Sequence, residues 1–171
     1  VVVMIVGSWL ALRTAATEIL KHEAVSHAQS SAIFVSSGIA NLDRLLAGEA
    51  ATPEDIKVLN SVGEFGGAFR YKLYGADGSV KQASDPDDIG STKRLKQFPD
   101  TAAKGHVFAR LGYSDGFGDM PAVYAEAYVP VMRDGRFIGA IETDIDVANL
   151  AASIDQKSRI ALLGLSVMFC L

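Results

Sequence analysis

Charged residues are confined to the interior of this chain. All 16 basic and 20 acidic side chains lie between Arg13 and Arg159, so residues 1–12 and 160–171 carry no charge. The ends of a water-soluble domain normally meet solvent and are polar. The pattern therefore predicts a water-soluble domain over residues 13–159, between the end of one transmembrane helix and the start of a second.

The length of the two uncharged ends leaves other interpretations open. Each end would be about 18 Å long as a helix, whereas a bilayer core of roughly 30 Å needs about 20 residues. Two truncated transmembrane helices, a signal peptide followed by a core helix, and ordinary buried core all fit. We expect the first, because no initiator methionine or basic leader precedes Val1 and the C-terminal run is still apolar at Leu171.

Composition narrows the class of function. A body of roughly 150 residues suits one domain with a substantial core. The net charge is −4 and the two signs are well mixed, which gives no basic patch for nucleic acid. The single cysteine, Cys170, lies in the C-terminal apolar run, so the body has neither a disulfide nor a thiolate metal site.

The N-terminal part of the domain has the pattern of a long helix. From Trp9 to about Ala47 there is no proline, and apolar residues recur at spacings of three and four. Gly48 would end this helix. A second, short helix is predicted from Thr52, a good N-cap followed by proline, to about Gly63.

Beyond the helices the apolar period changes to two, which is typical of strands. A hairpin is predicted over residues 68–84, around an Asp-Gly turn. A polar stretch with one short helix follows, to residue 104. Three more strands are predicted over residues 106–112, 122–132 and 137–145, before a last helix over residues 147–159. This order fits an α+β fold, a five-stranded antiparallel sheet with helices on one side.

The last two strands carry the most specific motif. The run YVPVMRDGRFIGAIETDI over residues 128–145 resembles the paired final strands of the Cache (or PDC) family, the PAS-like extracytoplasmic sensor domains of bacterial transmembrane receptors. The hairpin LYGADGSV over residues 73–80, followed by Ile89 and Gly90, resembles the family's first strand pair.

The resemblance implies a receptor domain in the periplasm. It would bind a small molecule and pass a displacement through two helices of the bacterial inner membrane. The resemblance also implies a homodimer formed through the long N-terminal helix. The cytoplasmic output would be a histidine kinase, a chemoreceptor signalling module or a cyclic-di-GMP cyclase or phosphodiesterase, and among these we favour the cyclic-di-GMP enzymes.

Motifs for catalysis or metal binding are not found in the sequence. The body has no cysteine, no Gly-x-Ser-x-Gly elbow, no P-loop and no His-Glu-x-x-His helix. His22 and His27 are five residues apart rather than four, and the aspartates of 85–88 and 115–119 do not have EF-hand spacing. We therefore expect a segment that is not an enzyme and holds no cofactor and no metal. The basic trio Lys93, Arg94 and Lys96 is expected to be a solvated face.

A ligand site is predicted on the central strands, where alternate residues point to opposite faces of the sheet. A face with aromatic rings and one guanidinium can enclose a small polar ligand, and Arg110 could hold a carboxylate through its two parallel N–H groups. The alternative is that Glu126 pairs with Arg110 across the sheet. The candidate ligand residues are His106, Phe108, Arg110, Tyr124, Glu126 and Tyr128, with Arg70 and Tyr71 on the first strand as additional candidates.

A ligand at this face would shift the strand over residues 137–145 against the long helix and so move the last helix. The segment 113–119 is either a lid over the site or a surface loop. Two other functions are weighed. A ligand-free structural or dimerisation module predicts a filled interior beneath Tyr124 and Tyr128, and a secreted hydrolase would need a nucleophile motif that the sequence lacks.

Overall fold

The computed structural model describes residues 2–92, 101–115 and 120–170. The α-helices are α1 (Val2–Gly38), α2 (Leu42–Leu46), α3 (Pro53–Asn60), α4 (Val62–Gly66) and α5 (Ala148–Cys170). The strands are β1 (Ala68–Gly75), β2 (Val80–Ala83), β3 (Phe108–Tyr113), β4 (Val123–Arg133) and β5 (Arg136–Asp146). Two 3₁₀ helices cover Pro86–Asp88 and Ala102–Lys104. The predicted basic trio at 93, 94 and 96 lies outside the described residues, as do residues 116–119 of the predicted lid.

The strands form one antiparallel sheet with the order β2-β1-β5-β4-β3. Strands β4 and β5 are joined by Asp134 and Gly135, whose φ angles of 48° and 74° are those of a tight hairpin turn. The predicted α+β architecture, with a long N-terminal helix and a five-stranded antiparallel sheet, is therefore confirmed.

Helix α1 covers one face of the sheet. Its buried side chains recur every three or four residues and are mostly small. They pack on the buried alanines Ala125 and Ala127 of β4 and on Ile141 of β5. Small residues on both surfaces let the helix approach the sheet closely, so this face is the main apolar core. The buried apolar residues of α1 are Leu20, Ala24, Ala28, Ala32 and Val35.

The predicted long helix ends earlier than expected. It was expected to reach about Ala47, but α1 ends at Gly38 and the chain turns before α2. A Cβ atom at Gly38 would lie 2.8 Å from Cγ1 of Val58, so the absence of a side chain there lets α3 pack against the end of α1. Asn41 then begins α2, its side-chain oxygen accepting a hydrogen bond of 3.3 Å from the backbone N–H of Arg44.

The predicted short helix is divided into α3 and α4. Thr52 caps α3 as expected, because its Oγ1 accepts from the N–H of Asp55 at 3.2 Å and Asp55 Oδ2 accepts from the N–H of Thr52 at 2.8 Å. Helix α4 ends at Gly66, and the next residue, Gly67, has the positive φ of 64° that closes many helices.

Both limits of the charged segment lie within continuous helices. Helix α1 runs through Arg13 and α5 runs through Arg159. The two helices contact each other and enclose a groove of about 640 Å³, lined by Trp9, Arg13, Ile154 and Arg159 among others. Within residues 2–92, 101–115 and 120–170, no helix has both the length and the apolar character needed to cross a membrane.

Candidate functional site

The side of the sheet that faces away from α1 carries an unusual set of polar residues. Because Ala125, Ala127 and Ile141 point to the helix, their neighbours along β4 and β5 point to the opposite side. We call this side the charged face. It comprises Arg70, Lys72 and Tyr74 of β1, Glu142 and Asp144 of β5, Glu126 and Tyr128 of β4, and Phe108 and Arg110 of β3.

The strand register brings four charged residues of this face into one row. Arg70 lies opposite Asp144, Asp144 opposite Glu126, and Glu126 opposite Arg110. Nε and Nη2 of Arg70 donate to Asp144 Oδ2 at 3.0 and 2.9 Å. Nε and Nη2 of Arg110 donate to Glu126 Oε2 and Oε1 at 2.7 and 2.8 Å. The two acidic residues thus occupy the centre of the row and the two arginines its ends.

A second row lies beside the first. Lys72 is opposite Glu142, which is opposite Tyr128, which is opposite Phe108. The hydroxyl of Tyr128 donates to Glu126 Oε2 at 2.6 Å and the hydroxyl of Tyr74 donates to Glu142 Oε2 at 2.5 Å. Burial and the carboxylate of Glu142 raise the pKa of both tyrosines well above its usual value, so they remain hydrogen-bond donors at neutral pH.

Aromatic rings fill the space beside these hydroxyls. The rings of Phe108 and Tyr128 are stacked with centroids 4.6 Å apart, and the ring of Tyr74 lies 6.4 Å from that of Tyr128. Tyr74 and Tyr128 are completely buried, in a cluster that also contains Ala102 of the second 3₁₀ helix. The interior beneath Tyr128 is therefore filled, which is the arrangement expected of a ligand-free module.

Three carboxylates meet at the centre of the charged face. Glu126, Glu142 and Asp144 are 6%, 1% and 1% exposed, and each offers an oxygen that lies within 4.8 Å of the others. Burial, followed by the charges of Glu142 and Glu126, raises the pKa of Asp144 to about 7 despite the ion pair with Arg70. Among the described residues, Oδ1 of Asp144 has no hydrogen-bond partner.

The structure brings together some of the predicted site residues. Arg70, Phe108, Arg110, Glu126 and Tyr128 all belong to the charged face. The cross-strand pair of Glu126 with Arg110, considered above as the alternative to ligand binding, is present, and it engages the guanidinium edge that was predicted to hold a carboxylate.

The other predicted residues lie elsewhere. Tyr124 points to the same side but is one row away, with its ring over Gly112 and edge-on to Phe69. Tyr71 packs on the α1 side of the sheet, because it alternates with Arg70 and Lys72. His106 precedes β3 and is exposed, so it lies outside the strand pairing that positions Phe108 and Arg110.

Sequence reasoning missed Tyr74, Glu142 and Asp144. The sequence did contain a signal for two of them. Alternate side chains of the strand over residues 137–145 point to opposite faces, which places Glu142 and Asp144 on the same face. The Asp134-Gly135 hairpin sets that face opposite Glu126. The run resembles a fold motif, and its polar positions meet those of β4 and β1 only through the register across the sheet.

Comparison with known proteins supports the fold. No protein-family model matches the sequence, and no curated protein matches it. The fold is similar to that of the E. coli DcuS sensor domain, with a TM-score of 0.53 and 11% identity over 78% of this chain and 98% of that chain. The A. aeolicus nlh2 GAF domain in an inactive state gives 0.45 and 12%, over 82% and 99% of the two chains. The V. cholerae histidine kinase DctB sensor domain gives 0.42 and 16%, over 84% and 59%.

The likeness to the DcuS sensor domain shows a shared fold. The resemblance to bacterial sensor domains that the last two strands predicted is thus confirmed at the level of architecture.

Proposed function

We propose that this chain is the extracytoplasmic sensor domain of a bacterial inner-membrane receptor and binds a small molecule at the charged face. The observation that carries the proposal is the group of three buried carboxylates between two arginines. Buried ion pairs generally stabilise a fold less than apolar residues of the same size, so a purely structural domain gains little from them. The fold shared with the DcuS sensor domain supports the same assignment.

The chain offers a short path from this face to the following helix. Glu142 and Asp144 lie on β5, and the next residue on the same side, Asp146, caps α5 by accepting from the N–H of Ala148 at 2.8 Å. Suppose that β5 can adopt two placements and that a ligand binds one of them more tightly. The ligand would then favour the placement of α5 that goes with it. Helix α5 contacts α1, so the movement would reach both helices that leave the domain.

The membrane context and the assembly are part of the proposal. The uncharged ends, residues 1–12 and 160–171, would belong to two helices of the inner membrane, with the domain in the periplasm. The homodimer would form through α1, whose Ile19 and Ile33 are 51% and 68% exposed and lie fourteen residues apart, two heptads along one side of the helix. The cytoplasmic output would be a cyclic-di-GMP enzyme, with a histidine kinase or chemoreceptor module as alternatives.

A second candidate function is favoured by one observation. The filled aromatic interior around Tyr128 is what a ligand-free structural or dimerisation module predicts. In that case the charged face would serve only to fix the strand register, and no small molecule would stabilise the domain.

A thermal-shift screen separates the two functions. The panel contains amino acids, dicarboxylates, amines and divalent metal salts. We expect at least one compound to raise the melting temperature by roughly 5–10 °C at a concentration about 100 times its dissociation constant. The rise should be smaller in Glu126→Gln and unchanged in Arg133→Gln, since Arg133 forms an exposed pair with Asp43 away from this face. If no compound raises the melting temperature, the structural module is the better account.

A further inference from the structure

The three buried carboxylates of the charged face form a compact group of oxygen ligands. They come from three residues on two adjacent strands, and their offered oxygens lie within 4.8 Å of one another. Two oxygens bound to the same Ca2+ at about 2.4 Å can be up to about 4.8 Å apart. The three offered oxygens are therefore close enough to bind one ion of this size.

An oxygen of Asp144 supplies an independent indication of a ligand. Arg70 donates both of its hydrogen bonds to Oδ2, which leaves Oδ1 with no partner among the described residues. The residue is 1% exposed, so bulk water does not replace the missing partner. A buried carboxylate oxygen without a partner loses the full free energy of its hydration. A bound cation would offset that loss at this atom.

We propose that Glu126, Glu142 and Asp144 bind a divalent cation of the size of Ca2+. This inference rests on the proposed sensor function and assigns the ligand class of the same face. It departs from the two expectations from sequence, that the domain holds no metal and that Arg110 could hold the carboxylate of a ligand.

The surroundings of the three carboxylates favour a bare ion over an organic molecule. Tyr74, Tyr128 and Phe108 pack in the adjacent space, and three cavities of about 640, 670 and 390 Å³ elsewhere on the domain are lined by other side chains. A small ion needs no such cavity. Hydrogen bonds from Arg110 and Tyr128 to Glu126, and from Tyr74 to Glu142, would hold the ligands in place, as outer-shell partners do in metal sites.

The nearby arginines set the expected affinity. Arg70 and Arg110 offset part of the negative charge, so the ion would be held less tightly than in a site formed by carboxylates alone. A dissociation constant on the order of 0.1–1 mM, as in extracellular calcium modules, is expected.

Calorimetric titration of calcium chloride into the chelator-treated 171-residue chain tests the proposal. We expect one ion per chain in the wild type, with affinity lowered about tenfold or more in both Asp144→Asn and Glu142→Gln. Asp155→Asn is the matched control, because Asp155 is an exposed carboxylate paired with Arg159 on α5, and its affinity should equal that of the wild type. Circular dichroism spectra verify that each variant is folded.

Three results would overturn the proposal. The first is no calcium binding up to about 10 mM, a concentration well above the range expected of extracellular sites. The second is equal calcium affinity in the wild type and Asp144→Asn. The third is binding of ethylamine hydrochloride without binding of calcium. If calcium fails while another compound raises the melting temperature in a way that depends on Glu126, the cation assignment is wrong and the sensor function stands. If no compound binds, both are wrong.

Discussion

Replacement of Arg110 by methionine is expected to lower the free energy of unfolding by about 3 kcal/mol. The substitution removes both hydrogen bonds that the guanidinium donates to Glu126, whose carboxylate is only 6% exposed. The buried carboxylate keeps its hydrogen bond from Tyr128 but loses its ion pair, which no longer offsets its loss of hydration. Urea unfolding of both proteins at neutral pH, with chelator present, measures the difference.

A double-mutant cycle identifies the source of this loss. Glu126→Gln in the Arg110→Met background should restore most of the stability, because the buried charge that lost its ion pair is removed. Arg133→Met is the control, since the exposed pair of Arg133 with Asp43 should contribute less than about 1 kcal/mol. A loss in Arg110→Met as small as that of the control would show that Glu126 is well solvated, contrary to the structure.

Asp144→Asn is expected to make the domain more stable at alkaline pH and to change little near pH 4. The pKa of Asp144 is raised to about 7 from the ordinary value of 3.8, so the folded chain holds a proton that the unfolded chain has already lost. Stability from this residue is fully present below the ordinary pKa and is lost as the pH rises through about 7. The loss is on the order of 4 kcal/mol.

Burial is the largest cause of the raised pKa of Asp144, and its charged neighbours modify it. Glu142 on the same strand and Glu126 on β4 oppose its ionisation, whereas Arg70 on β1 favours it. Two further cations face the cluster, Arg110 and Lys72, and they form ion pairs with Glu126 and Asp88.

The difference in unfolding free energy between Asp144→Asn and the wild type should therefore increase from about pH 4.5 to about pH 8 in chelator. Asp155→Asn, which removes an exposed carboxylate, serves as the control and should show no such increase. A difference that does not vary with pH would mean that Asp144 ionises normally and is not desolvated.

The fold could be predicted because its signals are local. These signals are the Asp-Gly turns, the Thr52 cap, and the change in spacing of apolar residues from three or four to two. Each acts over a few residues and is present where the sequence indicated. The end of α1 could not be predicted in this way. It depends on the approach of Val58 to Gly38, which is a contact between residues twenty positions apart in the sequence.

The site could be predicted only in part because its chemistry depends on register across strands. Arg110 and Glu126 are partners on neighbouring strands, and alternation alone brought them together. The partnership of Arg70 with Asp144 joins residues 74 positions apart, across the non-sequential pair β1 and β5. The sequence does not indicate that β1 pairs with β5. From sequence alone, Glu142 and Asp144 are therefore polar positions of a fold motif, and Arg110 is free to hold a carboxylate.

The central claim is that the charged face is where this domain binds its ligand. Titration of the ¹⁵N-labelled chain with each compound that raises the melting temperature, calcium chloride included, tests it most directly through the backbone amide spectrum. We expect shifts concentrated at Glu126–Tyr128 and Glu142–Asp144 and extending through Asp146 to the start of α5. Shifts confined to the groove between α1 and α5, with strands β4 and β5 unchanged, would contradict it.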